Sequence, residues 1–250
     1  MDEVVTLYNA GQALRGIIEY PSTPSDTAII LFHGFKGNRG YQPDDLLSQL
    51  SHALVASGFT TVRFDFSGRG HSEGSYQEMT IPQEISEADT ILTYTRQLPG
   101  IKHIYLLGHS LGGVIAGMLA GYYHDWIDRL VLLAPAVSVK EFARQGQIWQ
   151  SRFDPFHIPE QIMIDNVLMN GRFLRTAQTL PIMETTAQFS GPMLVIHGTD
   201  DVVIPVSAVK EYQRYCMNCE VHLVRGGSHT FKGENRSLVV QRVTEFLSRK

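Results

Sequence analysis

The sequence predicts a single doubly wound α/β domain: a mostly parallel sheet of about eight strands with helices on both faces. Three observations carry this. Short apolar runs alternate with helical stretches over nearly the whole chain, the pattern of successive βα units. The run at 28–32 is continuously apolar, as a strand covered on both faces must be. The chain opens differently. Segments 4–7 and 14–19 flank Asn9-Ala10-Gly11-Gln12, a turn signal, so the first two strands form an antiparallel hairpin.

The remaining elements follow in order. Residues 43–57 place Leu46, Leu47, Leu50, Ala53 and Leu54 at helical spacing, and Gly58 stops the helix. Residues 60–66 read as a strand. A helix over 81–98 has Pro82 in its first turn and Pro99-Gly100 behind it. The strand at 103–107 runs into Gly108-His109-Ser110-Leu111-Gly112-Gly113, and the helix at 111–122 leaves it. Strands at 130–133 and 193–196, a helix at 206–215, a strand at 221–224 and a helix at 237–247 complete the alternation.

One segment breaks the rhythm. No clear strand is visible over 136–190, a connection long enough to be functional or to carry its own structure. It holds Phe142, Ile148, Trp149, Phe153, Phe156, Ile158, Met163, Met169 and Phe173. That apolar content predicts a lid over the sheet edge with a small core of its own. The chain, 1–250, therefore reads as one domain with an insertion at about 136–190.

Composition narrows the function classes. Of 250 residues 43 % are hydrophobic and 18 % charged, enough apolar material for a core and too little charge for disorder. A net charge of −4 with no basic run argues against nucleic acid and against attraction to anionic membranes. Met1-Asp2-Glu3-Val4 shows no basic or apolar leader, and no apolar run approaches the roughly 20 residues of a spanning helix, so a cytoplasmic address is expected. Cys216 and Cys219 form a C-x-x-C pair. Zinc would need two further ligands, and a redox motif would open a helix rather than precede a late strand, so two reduced thiols and no metal are expected.

The chemistry centres on Gly108-x-Ser110-x-Gly112. A strand before it and a helix after it place Ser110 on a sharp turn with its hydroxyl presented at the sheet edge, as a nucleophile. A serine hydroxyl needs a base, and the base an orienting acid. Among ten histidines, His229 lies between the last strand and the last helix, where the base belongs. His33, His109 and His197 each stand beside a motif glycine and read as loop braces. The acid lies in His197-Gly198-Thr199-Asp200-Asp201, where two adjacent carboxylates compete and only one can meet the imidazole. Oxyanion donors are expected from the backbone N–H of Leu111, at the helix N-terminus, and of Phe35, in the loop after 28–32. Asp65, in Asp65-Phe66-Ser67-Gly68-Arg69-Gly70, reads as a residue that ties its loop down.

His33-Gly34-Phe35, Asp65-x-x-Gly68-x-Gly70-x-Ser72, Gly108-His109-Ser110-Leu111-Gly112-Gly113, His197-Gly198-x-x-Asp201-x-x-x-Pro205 and Gly227-x-His229 resemble, in order, the motifs of the α/β-hydrolase family. The resemblance runs from Ala28 to the C-terminus and implies the α/β-hydrolase fold, with the acid at Asp201 and Asp200 as a turn residue. Within the insertion, Phe153-Asp154-Pro155-x-His157-Ile158-Pro159 and residues 171–182 are similar to the lid of bacterial feruloyl (cinnamoyl) esterases. That likeness implies a cofactor-free serine esterase cleaving phenolic-acid esters. The early insertion departs from that group by offering Phe142 and Trp149, which implies a more apolar pocket suited also to simpler aryl or short acyl esters. A monoacylglycerol lipase, a thioesterase and a non-catalytic binding protein on the same fold are the alternatives. The expected partner is a small-molecule ester, and a homodimer is left open.

Overall fold

The computed structural model describes residues 2–249; Met1 and Lys250, which end the expected domain and begin the stretch read for a leader, lie outside the described residues. The eight-stranded main sheet contains β1 (Asp2–Asn9), β2 (Gln12–Glu19), β3 (Thr27–Phe32), β4 (Thr60–Phe64), β5 (His103–His109), β6 (Arg129–Leu133), β11 (Met193–Gly198) and β12 (Cys219–Val224). Two short hairpins, β7 (Gln147–Ile148) with β8 (Ser151–Arg152) and β9 (Gln161–Ile164) with β10 (Val167–Asn170), lie outside it. The order across the main sheet is β1-β2-β4-β3-β5-β6-β11-β12. The β1–β2 and β2–β4 pairs are antiparallel and all others parallel. The first hairpin closes through Ala10 (φ 48°) and Gly11 (φ 81°), the left-handed pair whose twist matches that of the flanking strands.

Helices α1 (Leu46–Ala56) and α8 (Glu234–Leu247) cover one face; α2 (Ile81–Thr95) and α3 (Leu111–Tyr122) lie on the other, and α7 (Val209–Tyr215) follows β11. This explains the unbroken apolar run of β3. Its Ile30 and Phe32 pack with Ile91, Ile115 and Leu106 on one side, while Ile29 and Leu31 pack with Leu50, Val243 and Leu107 on the other. With no polar face to show, alternation disappears.

Several boundaries shift for visible reasons. The helix expected from 43 begins at Leu46, because the Asp45 carboxylate accepts the amides of Tyr41 and Gln42, both at 2.9 Å, and holds the preceding chain as a loop. The strand expected to reach 66 stops at Phe64. Beyond it the buried Asp65 carboxylate accepts the amides of Arg39 (2.8 Å) and His71 (3.2 Å) and the Tyr41 hydroxyl, tying the loop as its sequence context suggested.

The insertion corrects the reading that it lacks strands. Between β6 and β11 it holds α4 (Val139–Gln145), the two hairpins, α5 (Arg172–Ala177) and α6 (Ile182–Thr186). The β9–β10 hairpin turns through Asp165 (φ 46°) and Asn166 (φ 63°), residue types that tolerate this conformation. Among the described residues, no helix is long and apolar enough to cross a membrane.

Candidate active site

Ser110 sits between β5 and α3 with φ 56° and ψ −119°, a conformation that costs an L-residue about 1–3 kcal/mol and persists only when its surroundings impose it. They do so by contact. A Cβ at Gly112 would fall 2.3 Å from the Phe32 carbonyl oxygen, and one at Gly34 would fall 2.8 Å from the Ser110 Cβ. Only glycines let α3 and the 33–37 loop close so tightly on the serine.

The parallel strands bring three side chains together from 119 residues apart in sequence. His229 Nε2 lies 2.9 Å from Ser110 Oγ, and His229 Nδ1 lies 2.7 Å from Asp201 Oδ2. Asp201 is therefore the carboxylate that meets the imidazole, while Asp200 is exposed and accepts the Thr199 hydroxyl at 2.9 Å. Asp201 Oδ1 accepts the amides of Val203 (2.8 Å) and Ile204 (2.9 Å), and His197 Nε2 stands 3.2 Å from Oδ2. Burial alone would raise the Asp201 pKa. Hydrogen bonds from His197, His229 and the Ile204 amide outweigh it and hold the carboxyl well below the usual carboxylate range. A buried, fully ionised carboxylate fixes Nδ1 as the protonated nitrogen and leaves Nε2 free to accept from Ser110.

The three histidines beside motif glycines bind backbone. His33 Nδ1 donates to the Gly34 carbonyl (2.9 Å) and its Nε2 accepts the Phe66 amide (3.1 Å). His109 Nε2 donates to the His229 carbonyl (2.9 Å), and His197 Nε2 faces the Ile204 carbonyl (3.0 Å). Burial pushes the pKa of His33 down to about 4 and of His109 to about 3, so both rings are neutral braces. The contact from His197 to Asp201 is an addition to the sequence reading.

Leu111 is the first residue of α3, where an amide has no intrahelical acceptor, and Phe35 follows the glycine packed on Ser110. The Phe35 ring is clamped by Tyr76, Trp149 and Phe173, with centroids at 5.4, 5.7 and 5.3 Å. Ser110, His229, Phe35 and Trp149 line one cleft of about 1220 Å³, with Lys36, Asp165 and Lys232 also in its wall. Phe142 does not join them. It lies three residues after buried Val139 on α4, so the helical repeat turns it inward against the main core. Asp165 carries no sequence signal that places it in the cleft, yet Lys36 Nζ donates to its carbonyl at 2.7 Å and pairs with its carboxylate, joining the β9–β10 tip to the loop that carries Phe35.

Among the described residues no three His, Cys, Asp or Glu side chains cluster as metal ligands. Cys216 and Cys219 are unbridged, and burial raises their thiols to about 11 and about 12.

The chain belongs to the alpha/beta hydrolase fold family, whose pattern it matches over residues 27–157. It is similar to the lysophosphatidylserine lipase ABHD12 of Danio rerio, with 30% identity over 195 residues, covering 75% of this chain and 46% of that protein. The chain thus spans about half the length of the curated relatives it matches. Among solved structures it resembles Est1E from Butyrivibrio proteoclasticus with ferulic acid bound, at a TM-score of 0.91 and 26% identity, covering 97% of each chain. An esterase of Pyrococcus furiosus, at a TM-score of 0.74 and 19% identity over 100% of this chain and 91% of that one, shares the fold.

Proposed function

We propose that this α/β hydrolase is a serine carboxylic-ester hydrolase acting on small aryl or phenolic-acid (cinnamoyl- or feruloyl-type) esters. The observation that carries the reading is the continuous hydrogen-bond chain Ser110–His229–Asp201 opening on the cleft. In the proposed cycle Ser110 Oγ attacks the ester carbonyl carbon and its proton passes to His229 Nε2. The amides of Phe35 and Leu111 receive the oxyanion. As the tetrahedral intermediate collapses, the C–O bond to the alcohol breaks, and the alcohol leaves with the proton from His229. Water then attacks the acyl-enzyme, giving its proton to His229, and the acid departs as Ser110 regains its hydrogen. Asp201 holds the imidazole and stabilises its charged form. No cofactor takes part in these steps.

Overlap with Est1E along nearly the full length, insertion included, supports the aryl and phenolic-acid class. Similarity to ABHD12 favours a second reading, a lysophospholipid or monoacylglycerol ester. A panel of p-nitrophenyl acetate, ethyl ferulate, a monoacylglycerol, a lysophospholipid and an acyl-CoA separates them. The first reading expects the highest kcat/KM on the aryl and feruloyl esters. Preference for the lipid substrates would overturn that class, and no turnover of any ester would overturn the hydrolase reading.

A further inference from the structure

Trp149 occupies the two-residue turn of the β7–β8 hairpin with φ 51°. A left-handed backbone at a bulky residue is costly, and glycine is the usual occupant of such turns. The turn is held in place: Ile148 beside it is buried, and the Gln147 side-chain amide donates to the Trp149 carbonyl at 3.2 Å. The indole then spans two loops. On one side Nε1–H donates to the Val203 carbonyl at 3.2 Å. The amide of that same Val203 donates to Asp201 Oδ1 at 2.8 Å, so the indole grips the loop that holds the acid. On the other side the ring rests against Phe35, 5.7 Å between centroids and tilted by 55°. Phe35 belongs to the loop whose glycine packs on Ser110.

We infer that Trp149 is a positioning residue, a brace that holds the acid loop at Val203 and the Phe35 loop at a fixed separation. The inference rests on the ester-hydrolase reading of Ser110, His229 and Asp201. A mere wall of the cleft would need only the area of the ring. It would need neither an N–H satisfied by the acid loop nor a strained main chain, and strain of this kind persists where the surroundings use the geometry it creates. Through the brace, the insertion sets the position of two parts of the site it does not itself contain. Errors of about 1 Å in such parts cost rate even when the reacting groups are intact.

The test compares Trp149→Phe and Trp149→Leu with the wild type, using p-nitrophenyl acetate, p-nitrophenyl butyrate and the rate of Ser110 labelling by a fluorophosphonate. Trp149→Phe keeps ring contact with Phe35 and loses only the N–H. Its kcat on the acetate is expected to fall about 3- to 10-fold, the scale of one net hydrogen bond, with KM changed about two-fold or less. Trp149→Leu loses both contacts, and its kcat is expected to fall on the order of 100-fold, with slower labelling in proportion. The graded order, with Phe as the partial rescue, distinguishes a brace from a wall. Unchanged kcat on the acetate in Trp149→Phe, with altered KM or altered preference for butyrate, would overturn the brace. If Trp149→Leu does not fold, Trp149→Phe decides alone. A wild-type protein that neither turns over ester nor labels would take down the hydrolase reading and the brace together; a wild type that labels, with Trp149→Phe labelling at the same rate, would remove only the brace.

Discussion

Replacing His109 with glutamine should flatten the acid limb of the stability curve. His109 is half-buried in the wall of the cleft, and its pKa falls from 6.5 to about 3, with desolvation first among the causes and the neighbouring His229 second. Between those two pH values the unfolded chain binds a proton at this site and the folded chain does not. Stability contributed here is complete above pH 6.5 and falls as pH drops, by about 1.4 kcal/mol per pH unit. From pH 6.5 to 5 the loss through His109 is about 2 kcal/mol, and His33, with a folded pKa of about 4, adds a loss of similar size. Glu84 acts in the opposite sense. Burial raises its carboxyl to about 8, so the folded protein binds the extra proton across this window and regains about 2 kcal/mol. The intact protein should therefore lose only about 2 kcal/mol on going from pH 6.5 to 5, which hides the histidine contribution. The variant exposes it. His109→Gln keeps an N–H for the His229 carbonyl and removes the titration, so its stability should be nearly level over the same window. Urea unfolding at pH 6.5, 5.75 and 5.0 measures both slopes. Equal slopes in wild type and variant would refute the assignment of His109 as a neutral brace.

Three further outcomes follow from the site. Asp201→Asn removes the carboxylate that fixes the His229 tautomer and should lower kcat on the order of 10⁴-fold in a folded protein; stopped-flow or long-time hydrolysis assays would show it, and near-normal kcat would contradict the role. Gly34→Ala places a Cβ 2.8 Å from the Ser110 Cβ, so the loop must shift and kcat should fall on the order of 100-fold, whereas wild-type kinetics would show that the contact does not position the serine. Ser110→Gly removes the nucleophile and relieves its backbone, so urea unfolding should show a gain of about 1 kcal/mol alongside lost turnover; a clear loss of stability would contradict the strain.

Legibility from sequence followed the range of the physics involved. β3 is readable because a strand buried on both faces is continuously apolar, and β5 and α3 because a short apolar run, a glycine turn and small residues announce them. Ser110, Asp201 and His229 were readable because each follows a strand of a parallel sheet, so one edge collects them. Choosing Asp201 over Asp200 needed the family pattern; the structure shows the physical difference in the two amides and His197 that hold only Asp201. The insertion hid its strands because pairs of two and four residues carry too little periodicity. Even so, Asp165-Asn166 between apolar stretches was a usable hairpin signal. The inward turn of Phe142 and the grip of Trp149 on Val203 depend on tertiary contacts that no local pattern encodes.

The central claim is that Ser110 is a nucleophile activated by His229 and Asp201. Incubating the folded protein with a fluorophosphonate probe, followed by intact-mass measurement and peptide mapping, tests it most directly. The expected result is one adduct per chain, on Ser110, absent in Ser110→Ala and formed much more slowly in Asp201→Asn. No adduct on folded wild-type protein, or an adduct on a different residue, would contradict it.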